Sequence, residues 1–307
     1  MRLRRTTARI LLVAAAVVLA APASAHTPRP NSNAGAPRQI IFPVVGATDF
    51  YDDFGAARAQ GGHQGNDLLA ARHTPVVAAE AGRVQFWTAS ASAGCMLYLY
   101  GRSGTTYLYI HLNDDLGDGN DNRGRCVDGV AYASGLRDGQ SVPAGALLGF
   151  VGDSGDAEGR HPHLHFELHP RGGAAVSPYR WLRRATHLLY PGSSVAAVAA
   201  PLALKLTGTV TGASGQSRDG RLTMAMAVRR VALPGGASVA PGRSVVLAVP
   251  ASAEIKHAGG SSLVPLSHAT AGDPVTVWST VTEPSLRAEV ASPGELSADR
   301  VLLADGS

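Results

Sequence analysis

From Ile40 onward, short apolar runs are separated by Gly, Asp and Pro, and within several of them apolar and polar positions alternate. The alternation is clearest in His163–His169. There Leu164, Phe166 and Leu168 share one face, and His163, His165, Glu167 and His169 share the other. A period of two argues a half-buried β-strand. Similar runs predict strands at Val76–Ala79, Gly82–Trp87, Met96–Tyr100, Thr105–His111 and Leu147–Val151. Helical periodicity is scarce, and Tyr179–Leu189 is the one short helix expected. The pattern predicts a mainly β domain. Further strand-like runs at Leu204–Val210, Arg221–Val231, Ser244–Val249 and Val275–Thr280 predict a second β-rich unit, expected as a small barrel or sandwich.

The first 25 residues read differently. Arg2, Arg4, Arg5 and Arg9 precede an apolar run, Ile10 to Ala20, and Ala23-Ser24-Ala25 has the A-x-A form of a cleavage site. This is the pattern of a secretory signal peptide. The run is shorter than the ~18–20 apolar residues a membrane span needs, so the mature chain is expected to carry no integral membrane segment. Residues 26–39 are polar and Pro-rich, a leader expected to be disordered. The expected organisation is a signal peptide (1–25), the leader (26–39), a first domain (40–189), a linker (190–201) and a C-terminal β-rich domain without assigned role (202–307).

Charge changes little. The chain carries 27 Lys+Arg against 23 Asp+Glu, but four of the arginines lie in the signal segment, which has no acid. The remainder is balanced, which gives no support for nucleic-acid binding. Two cysteines occur, Cys95 and Cys126. Export permits a disulfide between them, and closing a loop of about 30 residues stabilises by ~3–4 kcal/mol on the chain-entropy model. Cys126 lies in a Gly- and Asp-rich insert, Asn113 to Arg137, containing Asp114, Asp115, Asp118, Asn120, Asp121 and Asn122. Clustered carboxylates suit calcium, but the spacing lacks the EF-hand pattern, and a solvated loop is expected.

Chemistry concentrates at three places. His163 and His165 are two apart on a strand and project to the same side, suiting one metal ligand beside one proton-transfer group. Gly62-His63-Gln64-Gly65-Asn66-Asp67 offers His63 and Asp67 in a bent, Gly-rich segment. On its own this H-x-x-x-D pattern is common by chance. Tyr107–Leu112 is a strand ending near His111. A catalytic zinc takes three protein ligands and keeps a fourth position for water. His63, Asp67 and His165 meet that count, leaving His111 and His163 beside the open position.

These segments, with Phe54-Gly55-Ala56-Ala57-Arg58, Thr74-Pro75-Val76-Val77-Ala78-Ala79 and Gly149-Phe150-Val151-Gly152-Asp153-Ser154-Gly155, resemble the M23 peptidases, the lysostaphin and LytM-type zinc metallopeptidases. The resemblance runs in order over roughly residues 40–185 and does not extend to the C-terminal unit. It implies an antiparallel β-sheet scaffold with the site in an open groove. It also implies zinc held by His63, Asp67 and His165, and a catalytic pair, His111 and His163. The expected activity is metalloendopeptidase cleavage of peptidoglycan stem peptides or cross-links by a secreted, cell-wall-associated monomer. The sequence leaves open which of His111 and His163 is the general base. Three departures stand out: His73 in place of Gly before Thr-Pro-Val, His161 before Pro162, and Ala57 where Pro is frequent. The turn at His73 is therefore expected to differ, and His161 to be exposed. The alternatives are a non-catalytic LytM-like module that binds wall or activates another hydrolase, and a closed structural metal site.

Overall fold

The computed structural model describes residues 35–59, 61–88, 90–192, 201–214, 222–233, 238–282 and 296–304. The signal segment, most of the leader and most of the linker lie outside the described residues. Ser32–Ser307 make up one compact unit.

The first half contains β1 (Ala57–Arg58), β2 (Gly61–Gly62), β3 (Asn66–Leu69), β4 (Pro75–Val77), β5 (Gly82–Trp87), β6 (Cys95–Gly101), β7 (Thr106–Leu112), β8 (Ser141–Val142), β9 (Leu147–Phe150) and β10 (His163–His169). Six of these form one sheet, ordered β3-β10-β7-β6-β5-β8. All its pairings are antiparallel. The fold is mainly antiparallel β, as the alternation and the resemblance imply. The alternation in β10 is realised: Leu164, Phe166 and Leu168 are fully buried beside Leu97, Leu99, Tyr107 and Tyr109. The opposite face of the strand carries its histidines and Glu167.

Among the described residues, helix is scarcer than expected. The predicted helix over Tyr179–Leu189 is a single turn, α1 (Tyr179–Leu182). Beyond it the chain leaves helical geometry, and Leu188, Leu189 and Tyr190 are buried in a second apolar cluster. Burial of these side chains outweighs a weak local helical preference.

The insert is not a solvated loop throughout. Ala131, Tyr132, Ala133 and Leu136 join the first core. Tyr132 stacks on Phe86 with ring centroids 3.9 Å apart, and its hydroxyl donates to the Met96 carbonyl at 3.0 Å. The Cys95–Cys126 disulfide is formed and ties the insert to the start of β6. The turn before Thr74 keeps its left-handed form without glycine: His73 has φ of 63°. Its Nε2 donates to the Gly117 carbonyl at 2.8 Å, a second tie to the insert. His161 is exposed, as expected.

The second half contains β11 (Pro201–Ser214), β12 (Leu222–Ala232), β13 (Ser238–Val239), β14 (Arg243–Val249), β15 (Glu254–His257), β16 (Pro274–Thr282), β17 (Leu296–Ser297) and β18 (Arg300–Leu303). They form one eight-stranded sheet, ordered β15-β18-β16-β11-β12-β14-β17 with β13 against β12. Its core includes Leu206, Met224, Met226, Leu247 and Val277, and Val45 and Val77 of the first half pack into it.

Candidate metal centre

Strand register assembles the site. β10 pairs with β3 so that His165 is the direct cross-strand partner of Asp67, and with β7 so that His165 faces Ile110. Direct partners on one face have Cβ atoms ~5 Å apart, so the imidazole and carboxylate meet without distortion. His63 reaches them through the turn at Gly65. A Cβ there would lie 2.4 Å from the Phe166 carbonyl oxygen and 3.0 Å from His165 Nε2, so only glycine fits.

The three predicted ligands converge. His63 Nε2 lies 2.8 Å from His165 Nδ1, and each is 3.1 Å from Asp67 Oδ1. These separations are slightly tighter than the ~3.3 Å edge of a tetrahedron built on zinc–nitrogen bonds of ~2.0 Å. Proton placement is the stronger test. His63 Nδ1 is 3.0 Å from the Asp53 carbonyl oxygen and 3.2 Å from Asp53 Oδ2, so it is the protonated nitrogen and donates outward. His165 Nε2 donates to Glu167 Oε1 at 2.9 Å. Each neutral ring then turns its lone pair inward, and the Asp67 carboxylate adds another. Three lone pairs within 3.1 Å repel unless a cation lies among them. The donor set, two imidazoles and one carboxylate with outward hydrogen bonds, fits zinc.

The local electrostatics agree. With protons rather than a metal on the facing nitrogens, burial pushes the Asp67 carboxyl up, but hydrogen bonds from His165 and His63 and the charge of His163 outweigh it and hold it well below the usual range. Burial disfavours the His165 cation, yet Asp67 and Glu167 raise its pKa to about 9. The field at Nδ1 thus demands positive charge. Glu167, also pushed up by burial, is brought down to about 2 by hydrogen bonds from His165 and His169. His169 Nε2 donates to its other oxygen at 2.6 Å.

The two remaining histidines lie alongside. The His111 ring centroid is 5.1 Å from that of His163 and 6.0 Å from that of His165. His111 Nδ1 donates to the Ser154 carbonyl at 2.8 Å, and His163 Nδ1 to the His161 carbonyl at 2.9 Å. In the neutral form each ring therefore turns an Nε2 lone pair toward the site, that of His163 lying 3.7 Å from Asp67 Oδ1. Burial, reinforced by His163, lowers the His111 pKa to about 4. His111 also has φ of 62°, a left-handed conformation uncommon outside glycine. All five residues line one groove of about 410 Å³, with Arg58, Asp156 and Arg160 among its other walls.

Asp53 and Arg58 were not foreseen from sequence as parts of this site. Glu167 was visible as a same-face neighbour of His165, but its orienting role was not. Arg58 closes the Phe54–Arg58 motif but had no role assigned to it, and Asp53 had no local signal, because each acts across a loop. A second group of acids also gathers in the fold: Asp114, Asp115 and Asp153 bring carboxylate oxygens within 4.8 Å of one another. Asp115 and Asp153 are buried there, and the Arg72 guanidinium bonds both.

No family model matches the chain. The solved structures that resemble it are peptidases of the M23 and LytM type. A protein of Ruminococcus gnavus assigned as the glycyl-glycine endopeptidase LytM is 23% identical over 52% of this chain and 66% of its own, with a TM-score of 0.39. The catalytic domain of the antimicrobial peptidase lysostaphin from Staphylococcus simulans is 23% identical, over 44% of this chain and 90% of its own, with a TM-score of 0.33. Csd3 of Helicobacter pylori is 24% identical, over 48% of this chain and 34% of its own, with a TM-score of 0.35. At this level of similarity the geometry of the site itself bears the functional reading.

Proposed function

We propose that this chain is a secreted, zinc-dependent endopeptidase that hydrolyses peptide bonds in the stem peptides or cross-links of peptidoglycan. The observation that carries the reading is the convergence of three inward lone pairs, from His63, Asp67 and His165, beside two further imidazoles open to the same groove. The basic-then-apolar start with its A-x-A site supports export, and the M23 resemblance supports the wall peptide as substrate.

Zinc, when bound by these three residues, supplies Lewis acidity that polarises a carbonyl and lowers the pKa of water toward ~7. The protein does the rest. Asp53 and Glu167 hold the ligand rings in one tautomer and orientation. His163, whose Nε2 lies 3.7 Å from Asp67 Oδ1, takes the proton of the attacking water and returns it to the leaving amine. His111 shares this proton work. In its neutral form its only N–H is committed to Ser154, so it offers the groove an acceptor, and it donates toward an oxyanion only after gaining a proton. A purely oxyanion-stabilising role fits this geometry less well.

The test is mass spectrometry of fragments released from purified peptidoglycan by residues 26–307, with and without a chelator. New amino termini within stem peptides or cross-links, lost on chelation and restored by zinc, are expected. Fragments cut only between sugars, or no fragments from zinc-loaded protein, would sink the reading.

A further inference from the structure

The Asp67 carboxylate is divided between two neighbours. Oδ1 faces His63 Nε2 and His165 Nδ1, whereas Oδ2 accepts a charge-assisted hydrogen bond of 2.7 Å from Arg58 Nη2. The same Arg58 nitrogen is 3.3 Å from Asp53 Oδ2, and Asp53 is the residue that orients His63. Asn66 Nδ2 donates to Asp53 Oδ1 at 2.7 Å, so Asp53 is itself fixed. One guanidinium therefore links the surroundings of two of the three ligands.

The backbone holds this arrangement. β1 pairs with β2, with Arg58 opposite Gly61 and Ala57 opposite Gly62. The same hairpin is registered to the metal ligand: His63 N–H donates to the Ala56 carbonyl and Gly55 N–H to the His63 carbonyl, both at 2.8 Å. Arg58 is thus placed by the segment that places His63. Its side chain is 39% exposed, and that of Asp67 17%. With one partner this open, the pair contributes modestly to stability, and its larger consequence is that Oδ2 of Asp67 is held away from the ligand cluster.

On the reading that His63, Asp67 and His165 hold a divalent ion, we propose that Arg58 is a positioning residue which restricts Asp67 to ligation through one oxygen. A carboxylate can bind a metal through one oxygen or both. Taking both would require Oδ2 to abandon its bond to Arg58. With Oδ2 committed, the protein supplies three ligand atoms and leaves room for water and the substrate carbonyl. The arginine also draws electron density from the carboxylate, which leaves the bound ion more electrophilic. The planar guanidinium suits this task better than an ammonium, because it presents directed donors in fixed geometry.

The test replaces the metal with cobalt(II), whose visible absorption is strong in four-coordinate and weak in six-coordinate sites, and compares wild type with Arg58→Gln and Arg58→Lys. Thermal melts and metal-to-protein ratios come first, to confirm folded, loaded protein. In Arg58→Gln the visible absorption per bound cobalt should fall clearly, and kcat should fall about 10–100-fold with KM little changed. Arg58→Lys should recover part of both. Unchanged spectra in both variants would overturn the proposal, as would a change confined to KM, which would make Arg58 a substrate contact instead. The spectrum reads the ligand shell without turnover, so it tests Arg58 even if the peptidase reading fails. If a variant does not fold, the other carries the test.

Discussion

Two groups of three ligand-type side chains sit in the first half of this protein, and they are built in opposite ways. In one, His63, Asp67 and His165 turn their lone pairs inward, and the groups that hold the two rings, Asp53 and Glu167, accept hydrogen bonds on the outside. The Arg58 guanidinium bonds the outer oxygen of Asp67. In the other, Arg72 bonds both Asp115 and Asp153, and backbone N–H groups of Asp121 and Asn122 donate to Asp115 Oδ1. The first group leaves its negative field uncompensated at the centre, and the second neutralises it from within. Proximity of ligand atoms is therefore not what marks a metal site. What marks it is whether the protein has already supplied the positive charge.

The contrast can be broken experimentally. The largest effect is expected from Asp67→Asn or His165→Ala, each of which removes one of three ligands. Zinc content after dialysis should fall from near one per chain to near zero, with hydrolysis lost in parallel. Retained stoichiometric zinc would show that the ion sits elsewhere.

At the second group, Arg72→Met leaves Asp115 and Asp153 buried without their cation. Breaking a buried pair this way costs about 3–5 kcal/mol, so denaturant unfolding should shift strongly while zinc content of the folded fraction stays unchanged. A shift under about 1 kcal/mol, too small for a broken buried pair, would mean that Arg72 is not the internal cation.

Glu167→Gln should weaken zinc affinity by about 10–100-fold, the usual cost of losing an outer partner to a ligating histidine. Competition with a chromophoric chelator measures this. The equivalent change at Asp115, in the neutralised group, should leave zinc affinity alone.

His111→Gly separates stability from chemistry. Glycine adopts φ near 60° without strain, so the melting temperature should hold or rise slightly while turnover collapses. Full hydrolysis by this variant would remove His111 from the mechanism.

The smallest effect is a pH dependence. Burial, with Glu158 and Asp153 adding to it, raises the Asp114 pKa from 3.8 to about 6. The folded state then binds its proton more tightly than the unfolded state, and this contribution to stability disappears as pH rises from about 4 to 6. Asp114→Asn should therefore raise the melting temperature modestly at pH 7.5 and leave it nearly unchanged at pH 4. An equal shift at both values would mean that ionisation of Asp114 is not the cause.

Sequence alone went furthest where the information is local. The alternation of β10 fixed its bounds, its buried face and its polar face, because side-chain direction in a strand depends only on the parity of position. The five candidate residues were legible through short motifs, strand ends and the family resemblance these carry, and the two cysteines left only one intramolecular pairing. Tertiary structure alone decided the hydrogen-bond partners. Whether Asp53 orients His63, Arg58 takes one oxygen of Asp67, or Arg72 fills the acid cluster depends on strand register and loop closure between segments far apart in sequence. The helix that stopped after one turn and the insert that folded into the core follow from the same cause. Burial against distant residues outweighs local preference by more than any short window of sequence can record.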